Sequence, residues 1–269
     1  KNKYILLLLL APSALVWTSV VGKEAVYYGA SALLLAIWVF HIQDTHKKFN
    51  IITFLGVFLL FVICIILRPH YSMPLIYLFA SSYVLITYKL KKLRNFLIIL
   101  MFSLASLSIV YVYFFAEIPY NLVIHGYESI SPSGFSSRHA FFNIDPTQPF
   151  LEFDRSLIFK YSFFSIIGPF PTELDRIEFI PFFLEGLAIL LVPFFTLLYF
   201  LNKNKNDKYS LLFKLSILPA ILMTFVIHAP FGILNPGSAI RWRVNFELLF
   251  YAYPLILILL SSKMNSKQV

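Results

Sequence analysis

A chain of 269 residues that is 59% hydrophobic and only 13% charged, with a mean hydropathy of +0.79, is not an ordinary soluble domain. Its net charge of +9 carries no nucleic-acid signal, because in so apolar a chain the basic residues report topology. The single cysteine, Cys64, excludes an intramolecular disulfide, and its apolar surroundings offer no cysteine metal site.

Runs long enough to cross about 30 Å of hydrocarbon as helix are read at Tyr4 to Val20, Ala25 to Ile42, Ile51 to Leu67, Met73 to Tyr88, Phe96 to Phe115, Phe179 to Leu201, Leu211 to His228 and Phe246 to Ser262. The expected fold is therefore all-α: a polytopic helical membrane protein of about eight transmembrane helices, forming one integral membrane domain over residues 1–269. The fourth span is short and the seventh contains Lys214, which suits a tilted helix or a snorkelling lysine. The first run ends in "VVGKE" without a small-x-small cleavage pattern, so it is read as a span and not a signal peptide. The chain begins with Lys, which leaves room for spans upstream of it.

Lysine-rich short connections stay cytoplasmic. With both termini inside, the inner segments are "KNK", "QDTHKKFN", "KLKKLRN", "NKNKNDKYS" and "KMNSKQV". Counted with Lys214, they hold 13 Lys and 1 Arg, against 2 Lys and 6 Arg outside. Eleven of the 13 acidic residues fall outside or near outer span ends. The outer arginines are Arg68, Arg138, Arg155, Arg176, Arg241 and Arg243. A guanidinium is a planar fork that holds phosphate at two points, so an arginine-rich outer face points to phosphate or pyrophosphate. The competing reading pairs them with lipid phosphates or outer carboxylates.

One outer connection is long, Ala116 to Glu178 (116–178), and its aromatic and aliphatic content argues against disorder. Within it, "FLEFDRSLIFKYSFFSII" is amphipathic at about 100° per residue. Phe150, Phe153, Leu157, Tyr161 and Phe164 share one arc, opposite Glu152, Arg155, Ser156 and Lys160. An interfacial helix on the outer leaflet is expected, with Asp154 intruding on its apolar arc. Four further clusters share this water-facing surface: Lys23 with Glu24, Arg68 with His70, Arg138 with His139, and Arg241 with Arg243. The last pair stands in "NPGSAIRWR" after an Asn-Pro-Gly turn signal. Extended, the two arginines form a clamp on one side. Helical, they diverge by about 160°, and Arg243 lines the bundle with Glu247 as its partner. Trp242 reads as an aromatic-belt residue.

"APSALVWTSVVGKEAVYYG", "GPFPTELDR" and "NPGSAIRWR" together resemble motifs of bacterial surface-polysaccharide assembly proteins, the O-antigen and capsule polymerases of the Wzy and EpsG-like type and related multi-spanning glycosyltransferases. The chain departs from those motifs at Thr172, Pro236, Ser238 and Trp242. The resemblance implies that Lys23, Glu24, Arg241 and Arg243 belong to the functional face. It further implies an enzyme of the bacterial cytoplasmic (inner) membrane that transfers or polymerises polyprenyl-pyrophosphate-linked oligosaccharide at its outer face, alongside a flippase and a chain-length regulator. In that chemistry Lys23, Arg68, Arg138, Arg241 and Arg243 are expected to hold the pyrophosphate. Glu24 or His139 would accept the proton of the acceptor hydroxyl.

Two alternatives stand beside it. One is a glycosyltransferase using a polyprenyl-monophosphate sugar, with Glu24 as the acidic residue of an outer loop. The other is a lipid-linked oligosaccharide transporter, which needs polar groups at mid-membrane; Glu185, seven residues into the sixth span, is the clearest. The six histidines lack zinc-site spacing, the Glu173 and Asp175 pair names no metal, and no glycine-rich phosphate loop is present, so neither metal nor cofactor is expected. The expected partners are the polyprenyl-linked glycan and membrane lipids.

Overall fold

A computed structural model describes residues 12–18, 22–43, 51–87, 91–115, 158–168, 170, 177–203, 207–228 and 236–265. Among the described residues all regular structure is helical. The helices are α1 (Pro12–Thr18), α2 (Lys23–Gln43), α3 (Ile51–Leu67), α4 (Pro69–Thr87), α5 (Lys91–Phe115), α6 (Ile158–Ile167), α7 (Ile180–Leu201), α8 (Lys208–Leu212), α9 (Leu218–Ile227), α10 (Pro236–Arg243) and α11 (Tyr253–Asn265). Wider π turns at Phe213–Ile217 and Leu248–Ala252 lie just before α9 and α11.

Among the described residues, three helical stretches are long and apolar enough to cross a membrane: Lys23–Gln43, Ile177–Leu201 and Lys208–Ile227. Ile51–Leu67, Asn95–Leu104 and Leu248–Ser262 are shorter apolar helices. The Lys208 stretch begins three residues before the span read from the sequence, because the Asp207 carboxylate accepts from Ser210 N at 2.8 Å and caps it. Lys214 stands inside its π turn.

Helices α2, α3, α4 and α5 pack as successive neighbours, and α9 packs against both α4 and α5. Only Arg68 separates α3 from α4, yet Phe61 and Phe79 meet edge to face at 5.2 Å, so the chain folds back at this residue. Pro69 suits the first position of α4, where its fixed φ is helical and its missing N–H costs nothing. Trp38 is buried at the centre, where it donates to Ser82 Oγ at 2.9 Å and meets Tyr253 edge to face at 4.8 Å. Helix α3 is the opposite case. Ile51, Ile52, Phe58 and Ile66 are all exposed, and Cys64 is its buried residue. Such a surface is tolerated against acyl chains and not against water.

Helix α6 covers the later part of the segment read as interfacial. It packs against α7, α9 and α10, and its buried face carries Ser162, Ser165 and Ile166, while Phe159 is exposed. Ser165 Oγ donates to the His228 carbonyl at 3.0 Å. Small hydroxyl residues on the packed side let neighbouring backbones approach closely. Residues 150–157, with Asp154 and Arg155, lie outside the described residues.

Where α6 meets α7 the approach leaves no room for a side chain at Gly186. A Cβ there would overlap the Ile167 carbonyl and sit 3.4 Å from an Arg243 guanidinium nitrogen. Gly186→Ala should therefore destabilise the protein by about 1–3 kcal/mol, the usual range for an overpacked contact. Thermal unfolding in detergent checks this, and a midpoint equal to that of the wild type would refute it.

Candidate functional site

The start of α2, the α3–α4 junction and α10 bring their charged residues to one end of the bundle. Glu24 lies in the first turn of α2 and is buried. Its Oε1 accepts from Arg68 Nη2 at 2.6 Å, and from Arg241 Nη2 at 3.0 Å and Nε at 3.2 Å. The two guanidiniums differ in exposure: the Arg68 side chain is 6% exposed and that of Arg241 47%. Two cations on one carboxylate leave the cluster with a net charge of about +1, and Lys23, exposed beside Glu24, adds to that field.

The Trp242 ring lies over Arg68, 4.4 Å from the guanidinium carbon, and its face screens that charge. His70 and Tyr71 pack beside it at 6.1 and 6.3 Å between ring centres. Tyr71 Oη is 2.6 Å from His228 Nδ1 beneath them, both groups buried. None of these contacts follows from spacing alone, since they join the α3–α4 junction to residues more than 150 positions away.

Arg243 departs from its expected role. Residues 236–243 are helical, so the extended two-arginine clamp does not form, and Arg243 points away from Arg241 into the bundle. It is fully buried. Its Nη1 donates to the Phe182 carbonyl at 2.7 Å, its Nη2 donates to the Ile167 carbonyl at 3.2 Å and to that of Gly168, and it forms an ion pair with Glu185 at 3.8 Å. Arg243 lines the bundle as the helical reading expects; the Glu185 carboxylate that pairs with it comes from α7, while Glu247, also buried, accepts from Tyr251 Oη at 3.3 Å. With both Nη atoms taken up by the protein, Arg243 braces the Gly168 segment against α7.

The other end of the bundle gathers lysines. Lys208 Nζ donates to the Ile42 carbonyl at 2.6 Å and Lys203 Nζ to Ser261 Oγ at 2.6 Å. The ends of α2, α7 and α11 thus meet the start of α8. Among the described residues, Arg68 and Arg241 lie at one end of α2 and Lys203 and Lys208 at the other.

No family model, curated protein or solved structure matches the chain. The site must be read from its own chemistry. Glu24, Arg68 and Arg241 come together with Lys23 beside them; Arg243 goes elsewhere; Arg138 and His139 lie outside the described residues. The cluster pairs a buried carboxylate with a half-exposed guanidinium fork at the rim of an apolar bundle. Such an arrangement suits a ligand that carries a phosphate and a hydroxyl.

Proposed function

We propose that the chain is a multi-pass protein of the bacterial inner membrane, with about eight spans, cytoplasmic termini and an outer-face site that transfers glycan from a polyprenyl-pyrophosphate carrier. The observation that carries this reading is the convergence of Arg68 and Arg241 on Glu24 at the arginine end of the bundle. In the transfer, an acceptor hydroxyl oxygen bonds to the anomeric carbon, whose bond to the phosphate oxygen breaks. The electron pair leaves with the lipid pyrophosphate, and the hydroxyl proton passes to a base. Arg241 and Lys23 would meet the developing phosphate charge, Glu24 would take the proton, and Arg68 would hold Glu24 in place. Arg138 and His139 remain candidates on the 116–178 connection.

The exposed apolar faces of α3 and α5 support a lipid setting, and the motif resemblance supports surface-polysaccharide synthesis with a flippase and chain-length regulator as partners. A transporter draws support from the buried Glu185 and Glu247. The Arg243 and Phe182 contacts around Glu185 favour bracing over passage.

The test is direct. Protein purified into nanodiscs is given a polyprenyl-pyrophosphate oligosaccharide, and the lipid-linked products are read by mass spectrometry. Products longer by whole repeat units, absent with Glu24→Ala, are the expected result. Transbilayer movement of the lipid without any new glycosidic bond would refute transfer and favour the transporter.

A further inference from the structure

Glu24 holds two guanidiniums, and they differ in what they give up if they let go. Arg68 is buried, lies under Trp242 and has Nε without a hydrogen-bond partner among the described residues, so a move away from Glu24 would strand a charge in the bundle. Arg241 is half exposed and reaches Glu24 through Nε and Nη2, the same fork edge that would grip a phosphate at two points. That edge cannot serve both anions at once, and a phosphate held on the Nη1 and Nη2 end of the fork instead would leave Glu24 in place.

We infer that Glu24 is a built-in occupant of the phosphate position on Arg241, and that a phosphate-bearing ligand works by exchange: it takes Arg241 from Glu24 while Arg68 stays. This rests on the reading proposed above and adds an order of events to it. Before the ligand arrives, Oε1 of Glu24 is engaged by both arginines. Afterwards it holds one, and the freed lone pair faces the place where an acceptor hydroxyl would stand. Donor binding thereby removes one of the two cations on Glu24 and makes the carboxylate a stronger base, so proton transfer from an acceptor is favoured once the donor is in place. The displacing phosphate has two possible sources, a diphosphate-linked glycan lipid or the headgroup of an ordinary phospholipid.

The experiment titrates inorganic pyrophosphate into the full chain by calorimetry, in maltoside micelles free of phospholipid. Removing a competitor must strengthen binding, so Glu24→Gln should bind pyrophosphate about tenfold more tightly than wild type, a gain of about 1.4 kcal/mol. Arg241→Ala should lose binding. Because Glu24 is packed on Arg68, a second variant is needed: Glu24→Asp keeps the charge on Arg68 but reaches less far toward Arg241, and should also bind more tightly. Tighter binding by either variant, with normal gel-filtration behaviour, sustains the exchange. Equal or weaker binding by both overturns it, and would mean that Glu24 aligns the arginines for the anion.

Repeating the titration in phosphatidylglycerol nanodiscs separates the sources. A gain seen in micelles and lost in nanodiscs identifies the headgroup as the displacing phosphate, and a gain in both identifies the diphosphate; either keeps the exchange. Transfer activity is a separate reading. Exchange without any product from a polyprenyl-pyrophosphate glycan would leave this inference standing and remove glycosyl transfer. Product formation with no gain in either variant would do the reverse.

Discussion

Arg243→Met should leave little folded protein in the membrane. The substitution removes the donor shared by the carbonyls of Ile167, Gly168 and Phe182, and leaves the Glu185 carboxylate buried without that guanidinium. Breaking a buried pair from one side costs about 3–5 kcal/mol, a large part of the roughly 5–15 kcal/mol that holds a typical protein together. Arg243→Lys should fall between, since one ammonium keeps the charge but does not span acceptors on two chain segments. Arg243→Met combined with Glu185→Leu should recover part of the loss, because the orphaned carboxylate goes with it. Gel filtration after a series of heating steps reads all four proteins. A Met variant as stable as wild type would refute the bracing role.

Arg241→Lys should behave in the opposite way, with normal abundance and poor function. Its side chain is half exposed, so lysine fits without strain, but the two-point grip is gone. Transfer rate or surface-polymer length should fall by at least about tenfold, corresponding to about 1.4 kcal/mol of transition-state stabilisation. The measurement is product formation per folded protein. Near-normal product with lysine would reduce Arg241 to a headgroup anchor, because a headgroup accepts a point charge as readily as a fork. Two arginines a single residue apart thus separate cleanly: one variant fails before function and the other at it.

Much of this was legible before any coordinates. Apolar runs mark the helices because the bilayer demands continuous hydrophobic length, and insertion chemistry sorts lysine from arginine along the chain. Among the described residues, Arg68 and Arg241 gather at one end of α2 and Lys208 at the other. Lys23, Glu24, Arg68 and Arg241 could be named for one face because each flanks an apolar run on the same side. Their partners could not, since Glu24 and Arg241 are 217 residues apart and only packing brings them together. The fate of Arg243 turned on a single local question, helix or extended strand after Asn-Pro-Gly. Proline at the first position of α10 was the available signal for helix. The packed face of α6, with Ser162 and Ser165 buried and Phe159 exposed, was not legible for a different reason: an amphipathic pattern does not say which neighbours pack on it.

The bracing of Arg243 also bears on how the molecule is made. Ile167, Gly168, Phe182 and Glu185 all leave the ribosome before Arg243 does. A guanidinium is costly to bring unaccompanied into an apolar setting, and here these partners are synthesised before it. The closing helices α10 and α11 then dock onto a prepared cradle. Assembly in this order needs no stage at which the charge waits without them, whereas a fragment beginning at α10 would carry that charge without Ile167, Gly168, Phe182 and Glu185.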